Sequence, residues 1–100
     1  MLQLTKKELS IIKDILHRTI PDRTVWAFGS RVKGTTKKTA DLDLAVLGRK
    51  SLTLFQSGRL ADEFEISLLP FKVDIVDWAT CSPQFREIIA ENKIVIQGES

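Results

Sequence analysis

Asp41 and Asp43 stand two residues apart at the head of an otherwise apolar run, DLDLAVL from Asp41 to Leu47. Side chains alternate along a strand, so both carboxylates fall on one face, about 7 Å apart along the chain. Two anions so placed repel each other, and half-burying them is costly unless a cation lies between them. An oxygen-only pair of carboxylates suits Mg2+ completed by water and substrate phosphates. The plainer alternative is a solvent-facing strand start whose aspartates cap a turn. Asp74 shifts the balance, because it interrupts a second apolar run, KVDIV from Lys72 to Val76, where an isolated carboxylate is expensive to bury. If that strand lies beside the first, three carboxylates meet and can hold two divalent cations for in-line phosphoryl or nucleotidyl transfer. Asp77, three residues on and close to the strand's end, takes a structural, turn-capping role.

Gly29-Ser30 closes an earlier β-branched and aromatic run, TVWAF from Thr24 to Phe28. Glycine lets the backbone approach a ligand closely, serine adds a hydroxyl, and the N–H groups of such a turn make a concavity for an anion such as phosphate. Alone the pair is an ordinary turn; its weight comes from the aspartates that follow. Between them lies RVKGTTKKTA, Arg31 to Ala40, with four cations and no anion, which reads as a loop with one short helical turn at its start. Lys37 and Lys38 read as plain surface. His17 has no second histidine or spaced carboxylate to make a metal site and reads as a surface or partly packed residue. Trp26 and Trp78 read as core or boundary residues rather than base-stacking platforms. Cys81, with no histidine nearby in sequence, reads as an incidental thiol.

The elements that must position these groups follow from periodicity. Thr5-Lys6-Lys7-Glu8 has capping-box spacing, and Leu9, Ile12, Ile15, Leu16 and Ile20 form one apolar helical stripe, predicting a helix from Lys6 to Thr19. Pro21 stops it. Strands are expected over Thr24–Phe28, Asp41–Leu47 and Lys72–Val76, the second of them covered on both faces. Leu52, Phe55, Leu60, Phe64 and Leu68 support a second long helix, interrupted at Ser57-Gly58 and closed before Pro70. Ser82-Pro83 opens a last helix with Phe85, Ile88 and Ile89 facing inward, and Ile94–Ile96 adds a short strand. The expected fold is α/β (α+β), a small mixed sheet flanked by helices.

A chain of 100 residues, 43% hydrophobic and 28% charged, has the composition of one folded domain, residues 1–100, rather than of a disordered segment. Fifteen Lys and Arg against thirteen Asp and Glu leave +2, too small a surplus to argue for wrapping a nucleic acid or an anionic membrane. One cysteine excludes an intrachain disulfide and a cysteine-built zinc cluster within one chain, which favours a reducing compartment. No apolar run approaches the ~20 residues of a membrane span, so the expectation is a soluble, cytoplasmic protein.

Taken together, these residues resemble the polymerase-beta-like nucleotidyltransferases, and within them the minimal nucleotidyltransferases of bacteria and archaea. The signature is Gly-Ser, ten residues, Asp-x-Asp, here Gly29-Ser30, Arg31 to Ala40, and Asp41-Leu42-Asp43, with a third acidic residue matched by Asp74. Phe28, Arg31, Gly34 and Leu69-Pro70 extend the likeness over essentially the whole chain. The resemblance implies the polymerase-beta-like fold, with Gly29, Ser30 and Arg31 at the nucleotide, Lys33 near the triphosphate, and Asp41, Asp43 and Asp74 as catalytic residues binding two Mg2+. It implies ATP as substrate and AMP transfer to a hydroxyl, foremost a tyrosine of a helical HEPN-family partner in a toxin–antitoxin pair. A non-catalytic subunit that neutralises the HEPN protein by contact, and a transferase acting on a small molecule through a separate substrate-binding subunit, are the rival expectations. Nucleic acid is not the expected substrate, and the oligomeric state is left open.

Overall fold

The computed structural model describes residues 2–34 and 40–98. Helix α1 (Lys6–Thr19) starts at the Thr5 capping box, in which the Thr5 hydroxyl accepts from the Glu8 N–H at 3.0 Å and Glu8 accepts from the Thr5 N–H at 3.0 Å. Strand β1 (Val25–Phe28) follows, then a single helical turn α2 (Ser30–Lys33) closed by Gly34 in the left-handed conformation. The expected short turn at the start of the cationic stretch is therefore present, and Lys37 and Lys38 lie outside the described residues. Strand β2 (Leu42–Val46), helix α3 (Leu54–Glu65), strand β3 (Val73–Asp77), a 3-10 turn (Trp78–Thr80), helix α4 (Pro83–Glu91) and strand β4 (Ile94–Gln97) complete the chain.

The four strands form one mixed sheet in the order β3-β2-β1-β4. β1 runs antiparallel to β2 and β4, whereas β2 and β3 are parallel, with α3 as the crossover between them. Strand alternation divides the residues between two faces. Val25, Ala27, Leu42, Leu44, Val46 and Ile96 turn toward α1 and α3, where Ile12, Leu16, Leu60 and Phe64 complete the larger core. Trp26, Phe28 and Ala45 turn the other way, onto Ile89 of α4 with Trp78 and Phe85 beside it. The Trp26–Trp78 and Phe28–Phe85 pairs meet edge-to-face, at 5.4 and 6.0 Å between ring centres. Both tryptophans are thus packed, as expected, and His17 is exposed.

Two helix expectations need correction. α3 runs through Ser57-Gly58 without a break, because its start is fixed by a second capping box, Thr53 with Gln56, and its buried anchors Leu60 and Phe64 are four apart. Phe55 and Leu68, counted on its inward stripe, are 74% and 83% exposed. Phe55 lies in the first turn of α3, and Leu68 lies three residues past its end. In α4 only Ile89 is fully buried; Ile88 is 59% exposed, since a nine-residue helix laid across one sheet face buries a narrow stripe.

Candidate active site

The parallel pairing of β2 with β3 sets Asp43 opposite Asp74. In-register neighbours point to the same side of a sheet, so these two carboxylates share the face that carries α4. Asp41, two residues before Asp43 and just outside the strand, is exposed; Asp43 is half-buried and Asp74 exposed. On its other side Asp43 faces Phe28, the last residue of β1. The chain then turns at Gly29, whose φ of +83° lies where residues with a side chain are rare. A Cβ on Gly29 would collide with the Asp43 carboxylate oxygen and lie 3.3 Å from its Cγ. The Gly-Ser turn and the second aspartate of the motif are therefore in direct apposition. No side chain caps α2 at Gly29, and Ser30 takes the first helical position, where backbone N–H groups favour an anion.

Electrostatics marks the same spot. Burial, reinforced by the field of Asp74 and then of Asp41, pushes the Asp43 carboxyl above its ordinary value. A hard divalent cation relieves that repulsion, and the donors are all carboxylate oxygens, so the set fits Mg2+. Among the described residues no three His, Cys, Asp or Glu side chains are already drawn into one metal-ligating cluster.

Arg31 is drawn into the protein's own backbone. It is 3% exposed, its Nε donates to the Ala40 carbonyl at 2.8 Å and a terminal nitrogen to the Gln3 carbonyl at 2.6 Å, and its guanidinium lies 4.0 Å from the centre of the Phe71 ring. The side chain ties Ala40 and the N-terminal segment at Gln3 to the α2 turn. Lys33 on the same turn is exposed. Asp77 follows its structural expectation: it caps the 3-10 turn through the Ala79 N–H at 3.3 Å and accepts from the Leu52 N–H at 2.8 Å, tying the α3 entry to the end of β3.

A cleft of about 290 Å³ opens beside Asp74, lined by Leu52, Ser57, Ala61, Val73, Ile75 and Asp77. No sequence pattern marks it, because small exposed residues on a helix carry no signal; the Thr53-x-x-Gln56 spacing that orients this wall was legible by the rule that located α1. Among the described residues no helix is long and apolar enough to cross a membrane.

The family profile described as polymerase beta, nucleotidyltransferase, matches residues 10–100. A relative from Haemophilus influenzae, named probable protein adenylyltransferase MntA, is 51% identical over 96 residues, which is 96% of this chain and 84% of that protein. A toxin–antitoxin crystal structure with AMP-PNP superposes with a TM-score of 0.76 at 27% identity, covering 92% of this chain and 74% of that one. A complex of a tri-AMPylated Shewanella oneidensis HEPN toxin with its MNT antitoxin is similar at a TM-score of 0.68 and 25% identity, covering 91% and 70%.

Proposed function

Since this chain belongs to the polymerase beta nucleotidyltransferase family, we propose that it transfers AMP from ATP to a hydroxyl of a protein, foremost a tyrosine of a HEPN-family toxin that it serves as antitoxin. The observation that carries this reading is the apposition of the Gly29 turn, Asp43 and Asp74 on one sheet face. A 51% identical relative is named a probable protein adenylyltransferase, and a structural neighbour is held with an AMPylated HEPN toxin, which supports protein as the acceptor class.

In this mechanism the Gly29-Ser30 turn receives the triphosphate, with the Ser30 hydroxyl and N–H as donors. Asp41 and Asp43 would hold Mg2+, with Asp74 completing the set. When bound, the metal stabilises charge developing on the α-phosphoryl group and the leaving pyrophosphate. Asp74, exposed at the sheet edge, faces the incoming hydroxyl as metal ligand or as acceptor of its proton. The acceptor oxygen bonds to the α-phosphorus, the bond from that phosphorus to pyrophosphate breaks, and the hydroxyl proton leaves to a carboxylate or to water. Arg31 contributes by tying Ala40 and Gln3 to the turn that carries Ser30.

Intact-mass analysis of the HEPN-family partner after incubation with Mg2+ and ATP tests the proposal, with Asp41→Asn plus Asp43→Asn in parallel. A gain in whole AMP units, absent with the double variant, is the expected result. An unchanged partner mass, with a tight complex that the double variant forms equally well, would replace catalysis by neutralisation through contact.

A further inference from the structure

Among the described residues β3 is an edge strand: it pairs with β2 alone, at the end of the order β3-β2-β1-β4. The Leu42 N–H donates to the Lys72 carbonyl at 2.9 Å, which fixes the direction of the ladder. Within a strand the N–H and C=O of one residue point to the same side and alternate from residue to residue. Asp74 and Val76 therefore address β2, while Val73 and Ile75 turn their backbone groups outward. Among the described residues nothing pairs with them. This outward edge forms one wall of the cleft beside Asp74; the opposite wall is α3, which presents Ser57 and Ala61 there. Asp77 shuts one end of the track through its bond from the Leu52 N–H.

Resting on the function proposed above, we propose that the acceptor protein enters this cleft as an extended segment that adds to the open edge of β3 and delivers its hydroxyl beside Asp74. Three features select a peptide. The unpaired Val73 and Ile75 backbone groups offer main-chain hydrogen bonds, which any sequence can accept. Among the described residues the charged groups lining the cleft are Asp74 and Asp77, both acidic, which disfavours a phosphodiester backbone. The cleft of about 290 Å³ lies on the α3 side of β3 and receives alternate side chains of such a segment, while the residues between them fall on the side of the Asp74 carboxylate and carry the hydroxyl. Strand addition also solves an alignment problem, since main-chain pairing fixes the acceptor residue along β3, and with it the line of attack on the α-phosphorus.

The test joins one kinetic and one exchange measurement. Ser57→Leu and Ala61→Leu, both at exposed helix positions, fill the cleft with neutral side chains. AMP transfer to the HEPN-family partner is expected to fall at least tenfold, while ATP affinity by calorimetry stays at the wild-type value. In the Asp74→Asn chain mixed with the same partner, hydrogen exchange at the Val73 and Ile75 amides is expected to slow at least tenfold. Wild-type transfer rates in both leucine variants, or unprotected Val73 and Ile75 amides in the complex, would overturn the proposal and leave the nucleotidyl-transfer reading standing. If the wild-type chain modifies no protein at all, the reading it rests on fails, and this proposal falls with it.

Discussion

Replacing Arg31 with alanine removes a buried guanidinium that two backbone carbonyls accept from, at 2.8 and 2.6 Å, and that stacks on Phe71 at 4.0 Å. Hydrogen bonds from a charged donor contribute about 1.5–3 kcal/mol each, and a partly desolvated cation–π contact adds about 1 kcal/mol. Against them stands roughly 2 kcal/mol of side-chain entropy that alanine does not lose on folding. The net cost of Arg31→Ala is then about 4 kcal/mol, a large share of the ~5–15 kcal/mol typical of a domain. Arg31→Lys keeps the charge but not the fork that spans two carbonyls, and is expected to lose about 2 kcal/mol. Urea denaturation of the free chain measures both, and at ~4–8 °C per kcal/mol the alanine variant should melt at least 15 °C lower. The KM for ATP, measured below the melting transition, should stay within about twofold of wild type in Arg31→Lys, because the side chain is committed to the protein's own carbonyls. Stability within 1 kcal/mol of wild type in Arg31→Ala, or a tenfold rise in KM for ATP in a fully stable Arg31→Lys, would refute this assignment and return Arg31 to the triphosphate.

Gly29→Ala is expected to cost about 1–3 kcal/mol from its backbone conformation and to displace the Asp43 carboxylate, so AMP transfer should drop roughly 100-fold in a protein that still folds, as read by partner mass against time. Asp43→Asn should raise the melting temperature of the metal-free protein at pH 7. Burial and its acidic neighbours raise the Asp43 carboxyl in the folded state, so the fold favours its protonated form; the stability present below the unfolded value of about 3.9 is lost as pH rises through the folded one. The variant's advantage should accordingly shrink as pH is lowered toward 4, and a variant less stable than wild type at pH 7 would contradict that account. Asp74→Ala and Asp77→Ala should separate two roles three residues apart. The first leaves stability within about 0.5 kcal/mol and abolishes transfer; the second costs about 1–3 kcal/mol by orphaning the Leu52 and Ala79 amides, with ATP affinity by calorimetry at the wild-type value.

Much of the fold was legible along the chain because it is written in local chemistry. Thr5 and Glu8 start α1 where their spacing says, Ser82-Pro83 opens α4, and the strand expected over Lys72–Val76 is β3, one residue displaced. The alternation that puts Leu42 and Leu44 in the core and Asp43 on the other face is a property of any strand. The inward stripe of α3 was less legible: Phe55 and Leu68 have the right spacing, but burial depends on how far the sheet extends beneath the helix, and that is a tertiary quantity.

The sequence by itself determined the element types and the spacing of the acidic and Gly-Ser positions, since caps, periodicity and turn residues act over a few residues. Only the tertiary structure decided what those positions meet. Parallel register between β2 and β3 sets Asp43 against Asp74 across thirty residues of intervening chain, and the β1–β2 pairing brings the Gly29 turn onto the Asp43 carboxylate. Burial, too, was decided there: the cationic stretch reads as a solvated loop, yet its first cation is enclosed because Ala40 and Gln3 bring their carbonyls to it. Charge pattern along a chain records which groups are available, and the packing of distant segments decides which of them face water, one another, or a substrate.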